Sequence, residues 1–211
     1  VPDFSYFKKS KQKEIVFNEL ILDNYFNFLE VINSQGYENE IFMYVPEVVL
    51  CQLIFHHKND LIKVLNGKKN IELKNIGIDD LKDINFHDYC KKLKTTSENC
   101  LNIIKIPLDR EKVFNEIFKR TIDKQSPFNG DSDPGFKSTL IFLSILNFIS
   151  TDDTIVIVSD KEKFMYNHRN EYEREFHDYF ANLDYSPLLH IYTQQKFSEW
   201  LDEEFGIKLV L

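Results

Sequence analysis

The sequence predicts a helix-rich α/β fold built on a mostly parallel sheet, and three observations carry that expectation. Short apolar runs alternate with longer stretches of helical period, the order that lays down parallel strands joined by helical crossovers. One run, Thr154-Ile-Val-Ile-Val158, is apolar at nearly every position, as in a strand covered on both faces. Phe (19) and Tyr (10) are abundant while Gly and Pro number six each, a balance of core formers over turn breakers that favours a packed, helical domain over a disordered one.

Taken in order, Phe17, Leu20, Ile21, Tyr25, Phe28, Leu29 and Ile32 recur at three- and four-residue steps. That is the period of one buried helix face, so a helix is expected from about Gln12 to Gln35, stopped by Gly36. Ile41–Val45 reads as a buried strand ended by Pro46. Pro46 then opens a helix, where its missing N–H costs nothing, with Val48, Val49, Leu50, Leu53, Ile54, Leu61 and Ile62 as core face. Gly67–Gly77 is polar and lysine-rich and is expected to be a connector. Asp79–Leu101 reads as a polar helix of a surface insert, and Pro107 breaks the chain. Asp109 is a suitable N-cap for a helix over Arg110–Lys124. Ser126–Gly135 is dense in turn formers and is expected at a functional edge. Phe136–Ile149 reads as a central helix, Lys163–Asn182 as a helix and Leu188–Tyr192 as a strand. The last helix spans Thr193–Phe205, capped by Thr193 and ended by Gly206. One domain over residues 1–211, with a helical insert at about 67–106, accounts for the whole chain.

The totals exclude several function classes. Net charge is −8, whereas a protein that coats nucleic acid through counterion release is ordinarily basic, so any such contact needs a local basic patch or a metal that screens the acids. No apolar run reaches the ~18–20 residues of a membrane span. No secretory signal is visible, and Cys51, Cys90 and Cys100 form no CxxC. Each is expected as a small buried or half-buried residue in a reducing compartment, so a cytoplasmic location without membrane contact is expected. His56 and His57 are adjacent on a helix, point to different faces and are expected to share no metal. GxSxG, P-loop, GxGxxG and HExxH patterns do not occur.

In open parallel sheets ligands bind beyond the carboxyl ends of the strands. Two such ends carry acids, at Val45-Pro46-Glu47 and at Val158-Ser159-Asp160-Lys161-Glu162. Carboxylates gathered at one edge repel each other, and a hard divalent cation relieves that repulsion. The plainer alternative is that Asp160 and Glu162 favour the start of the next helix through its dipole.

Three segments in order add a resemblance. YVPEVVLCQL is similar to an "iPevVleEl" pattern, SPFNGDSDPGFKSTLIFLSILNF to "PPF…GfKDaliwlsil", and TIVIVSDKEKF to a "fVSdn…F" strand end. Together they resemble the PIN-like nucleases of prokaryotes over roughly Phe17 to Phe205. The resemblance implies a three-layer α/β/α sandwich with a central, mostly parallel sheet. It implies an endoribonuclease that uses Mg²⁺ or Mn²⁺ held by three or four acids to hydrolyse RNA phosphodiester bonds. It further implies a toxin or phage-defence effector, partnered by RNA and by an antitoxin or another defence-system protein. Self-association of the chain is a further expectation.

Carried over by position, Asp160 matches the acid after the last core strand, and Lys137 matches the basic residue before the family's third acid. Lys137, Arg120 and Lys124 are then expected to contact the RNA backbone. Ser138 stands where the family has an Asp and Gln52 where it has a Glu, so two catalytic positions carry neutral oxygens. Glu47, Asp133 and Glu162 are the nearby acids that would restore charge, with Asp160, Glu47 and Glu162 as the expected metal ligands. The family's opening strand and its acid are expected upstream of Val1. Asp23-Asn24, after Leu20-Ile21-Leu22, is a substitute that the helical period argues against. Four outcomes stay open: an active nuclease with shifted acids, a form made inactive by substitution, a PIN-fold RNA- or protein-binding module that no longer cuts, and an unrelated α/β domain with a plain interaction role.

Overall fold

The computed structural model describes residues 14–16, 20, 22–68, 72–75, 84–100, 104–123, 135–160 and 164–209. Among them the chain runs β1 (Glu14–Val16), α1 (Asp23–Ser34), β2 (Tyr44–Pro46), α2 (Glu47–Leu65), β3 (Glu72–Lys74), α3 (Phe86–Cys100) and β4 (Ile104–Ile106). It continues with α4 (Arg110–Ile122), α5 (Phe136–Phe148), β5 (Thr154–Val158), α6 (Phe164–Asn167), α7 (Arg169–Phe180), β6 (Leu188–Tyr192) and α8 (Gln194–Phe205).

The described strands form three two-stranded pairs, β1 with β3, β2 with β4 and β5 with β6. Every pair is parallel, with Tyr44 opposite Ile104 in the second and Thr154 opposite Leu188 in the third. Parallel neighbours need a crossover. Helices α2 and α3 lie between β2 and β4, and α6 and α7 between β5 and β6. The architecture is thus helix-rich α/β with small parallel sheets. Buried side chains from Leu20 to Ile207 form one continuous hydrophobic cluster. No helix among the described residues is long and apolar enough to cross a membrane.

The strongest sequence signals produced the elements they promised. Ile155, Val156, Ile157 and Val158 are all buried, as a run apolar on both faces requires. Helix α5 buries Thr139 and every residue from Ile141 to Leu146. Asp109 caps α4 by accepting from the Lys112 N–H at 3.1 Å, and Thr193 caps α8 by accepting from the Lys196 N–H at 3.2 Å. Helix α8 ends at Gly206, φ 68°, and the Ile207 N–H reaches back to the Leu201 carbonyl at 3.1 Å. Gly36 ends α1 in the same way, with φ 81° and a Tyr37 N–H bond to the Ile32 carbonyl.

Weaker signals were misread. Among the described residues of the helix expected over 12–35, Glu14–Val16 form strand β1 and the helix starts only at Asp23. Leu20 and Leu22 before it are both buried, and Tyr25, Phe28 and Ile32 carry the helical face. The stretch at 67–106 holds strands β3 and β4 as well as helix α3, and β4 pairs with β2. Helix α3 is no mere surface addition, because Tyr89 and Leu93 are in the core. The helix expected over 163–182 breaks at His168 into α6 and α7. Pro46 is the last residue of β2 and the N-cap of α2, one position earlier than expected. Cys51 is exposed, not buried, while Cys90 is half-buried.

Candidate functional site

The β5–β6 pair delivers one polar edge. Beyond Val158 the ladder gains one more bond, from the Ser159 N–H to the Tyr192 carbonyl at 2.8 Å. That bond and the burial of Ser159 fix the backbone, and the next residue, Asp160, emerges into solvent. A strand with four consecutive buried apolar residues, Ile155–Val158, is thus followed by a carboxylate just past its C-terminal tip, the position ligand sites favour in parallel sheets.

The β2–α2 junction supplies the second edge, but Glu47 is already engaged. Its Oε1 accepts from Lys94 Nζ at 2.7 Å, and its Oε2 accepts from the Leu108 N–H at 3.3 Å. The Lys94 hydrogen bond, against the opposing effect of burial, holds the Glu47 carboxyl below its ordinary range, and the same bond holds Lys94 above its own. Glu47 therefore ties the start of α2 to α3 and to the segment after β4. This is a structural use of the carboxylate where a metal ligand was expected.

Gln52 lies farther along α2, half-buried. Helix α2 packs against α5, which also packs against β2 and β4. The first turn of α5 therefore presents Lys137, exposed, and Ser138, half-buried, on a helix in contact with the Gln52 helix. Thr139 is fully buried and donates its hydroxyl to the Gly135 carbonyl at 3.0 Å, fixing the helix entry.

Arg120 does not face solvent. Its side chain is 7% exposed, its Nε donates to Glu116 at 2.9 Å, and its Nη1 and Nη2 both donate to the Glu175 carboxylate. Burial pulls its pKa down, yet the Glu175 and Glu116 carboxylates hold it above the ordinary value. A buried guanidinium with all three nitrogens engaged joins α4 to α7, an internal role beside the RNA contact expected of it. Nearby Tyr172 is also buried, and burial pushes its pKa up to about 12.

Lys124, Asp133, Glu162 and most of the turn-rich stretch at 126–135 lie outside the described residues. Among the described residues no group of three His, Cys, Asp or Glu side chains is placed to hold a metal ion. With Glu47 paired to Lys94, and with Ser138 and Gln52 neutral, the described donors alone do not fit a hard divalent cation. A cavity of about 570 Å³ lies elsewhere, lined from β2, β5, β6, α1, α5 and α8 by Tyr44, Phe148, Val156, His190, Phe197 and Trp200 among others.

Sequence reasoning missed three things. Asp23 is the first residue of α1, where its charge suits the helix N-terminus; the Asp-Asn pair was a legible helix-start signal. The Glu116–Arg120 pair was visible as an i,i+4 spacing. Lys94 and Glu175, distant in sequence from the groups they pair with, left no local signal. No family model, curated protein or solved structure matches the chain.

Proposed function

We propose that this chain is a PIN-like, metal-dependent endoribonuclease that hydrolyses RNA phosphodiester bonds, with Asp160 as its principal acid. The observation that carries the reading is Asp160 itself. It is an exposed carboxylate held at the C-terminal tip of a buried parallel strand by the Ser159–Tyr192 bond. The order of the three motif-bearing segments supports it, as does the packing of the Gln52 helix against the Ser138 helix. The reading assigns the remaining charge to Glu162 and Asp133 and takes Lys137 and Lys124 as backbone contacts. It brings with it a three-layer sandwich around one central sheet, Mg²⁺ or Mn²⁺ as the cofactor, a cytoplasmic setting and a toxin or defence role with a protein partner.

A second reading, a PIN-fold module that binds RNA or protein without cutting it, is favoured by the Glu47–Lys94 pair and by the neutral oxygens at Ser138 and Gln52. One experiment separates the two. End-labelled single-stranded RNA is incubated with the chain in Mn²⁺, in Mg²⁺ and in chelator, beside Asp160→Asn. Cleavage that needs the metal and is lost in the variant supports the nuclease. RNA retention without cleavage, unchanged by chelator, supports the module.

A further inference from the structure

The cavity of about 570 Å³ plays no part in the nuclease reading, and its walls follow from the fold. Thr154 stands opposite Leu188 and Val156 opposite His190, so alternate residues of β5 and β6 make one face of that pair. Helix α8 packs on the pair, with Phe197, Trp200 and Glu204 at three- and four-residue steps on the side that lines the cavity. The Phe197 and Trp200 rings stack with centroids 6.1 Å apart, and Phe205 meets Trp200 edge to face at 5.5 Å. From β2 and the end of α5, Tyr44 and Phe148 add another edge-to-face pair at 5.4 Å. The polar part of the lining is one-sided in charge. Glu40 before β2, Asp153 before β5 and Glu204 near the end of α8 are exposed carboxylates, and no Lys or Arg stands among the described lining residues. Asp153 is at the opposite end of β5 from Asp160, so this rim is distinct from the sheet edge that carries Asp160.

We propose that this cavity binds a small organic cation, an amine carried on an apolar body, with the body against Trp200, Phe197 and Tyr44 and the ammonium toward the carboxylates of Glu40, Asp153 and Glu204. The size fits, because small-molecule pockets run to roughly 300–1,000 Å³ with mostly apolar walls and a few polar groups. The charge selects the class of ligand. Aromatic faces attract a cation through the ring quadrupole. Three carboxylates with no lining ammonium or guanidinium repel an anion and favour a cation over a neutral molecule of the same shape. Phe42 and Leu188, 48% and 54% exposed, carry the apolar lining out to the mouth, where an entering apolar body would take them out of water. The site stands whether or not the chain cuts RNA.

Trp200 is the only tryptophan of the chain, so its fluorescence reports on the cavity without a label. The test titrates the full chain with phenylbutylamine, phenylbutanol and phenylbutyrate, three probes that share one body and differ in charge. The amine should give a saturable change in Trp200 emission and bind about tenfold more tightly than the alcohol, with the anion weakest. Glu40→Gln, Asp153→Asn and Glu204→Gln combined should bring the amine down to the affinity of the alcohol, while the alcohol binds native chain and variant alike and so reports an intact cavity. Added salt should shrink the advantage of the amine in the native chain, a second measure that needs no variant. Absence of a saturable amine signal overturns the proposal, as does an amine bound no more tightly than the alcohol. An amine preference that survives neutralisation of the three acids, or that is indifferent to salt, overturns it too.

Discussion

Lys94 Nζ lies 2.7 Å from Oε1 of Glu47, binding helix α3 to the first turn of α2. Both side chains are largely shielded, at 32% and 16% exposure. Lys94→Ala should therefore cost about 1–2 kcal/mol of stability at pH 7. The Glu47 carboxyl titrates below its ordinary value in the folded chain, so this stabilisation is present above that value and is lost as pH falls through the depressed one. Urea unfolding of Lys94→Ala, Glu47→Gln and the double variant checks the claim. The two single costs should fail to add by about 1 kcal/mol.

His57, packed against Tyr89 in the first turn of α3, carries a second pH dependence. It is buried in α2 and lies 2.8 Å from the Tyr89 hydroxyl. Burial, partly offset by Asp60, holds its pKa down to about 4 against an ordinary 6.5. Between those values the unfolded chain binds a proton that the folded chain refuses. Stability should fall as pH drops from 7 toward 4, by up to about 3 kcal/mol. Chemical denaturation at pH 7, 6 and 5 should show the loss, and His57→Gln should flatten that part of the profile.

Arg120 and Lys137 should separate stability from RNA contact. Breaking the buried Arg120 cluster leaves Glu175 and Glu116 without their shared cation. Because those carboxylates are 38% and 37% exposed, the cost is discounted to about 2–3 kcal/mol for Arg120→Ala. Lys137 is exposed, so Lys137→Ala should leave the melting temperature unchanged. If it contacts single-stranded RNA, it should reduce the slope of log affinity against log salt by about 0.7. Thermal unfolding and anisotropy titrations at several salt concentrations measure the two effects independently.

Two helix ends in the C-terminal segment should respond as ordinary caps. Thr193→Ala removes the acceptor for the Lys196 N–H and should cost about 1 kcal/mol. Gly206 has φ 68° with open space where a Cβ would point, so Gly206→Ala should cost about 1 kcal/mol from backbone strain, with no steric contribution. Differential scanning calorimetry of each variant decides the point.

The second half of the chain was the more legible, for physical reasons. Ile155–Val158 and the all-round apolar face of α5 leave no other solution than burial, and Asp109, Thr193 and Gly206 mark helix ends by local chemistry. Strands β3 and β4 have three residues each, too short for a period to register, and β4 becomes a strand only because β2 is beside it. The β1–α1 boundary was hidden because Phe17, Leu20, Ile21, Tyr25 and Phe28 recur at helical steps in the sequence, straight across the start of α1. At the candidate site, strand order placed Asp160 at a sheet edge. Nothing local to Glu47 or Arg120 could announce that Lys94 and Glu175 would occupy them, since such pairings are set by tertiary packing.

The nuclease reading requires that Asp160 belong to a pocket able to hold a divalent cation. Electron paramagnetic resonance titration of Mn²⁺ against the native chain and Asp160→Asn measures this directly, because free and bound Mn²⁺ differ in signal. One or two ions should bind per chain, with affinity reduced at least about tenfold in the variant. Absence of Mn²⁺ binding to the native chain, or binding of equal strength in both, would contradict it.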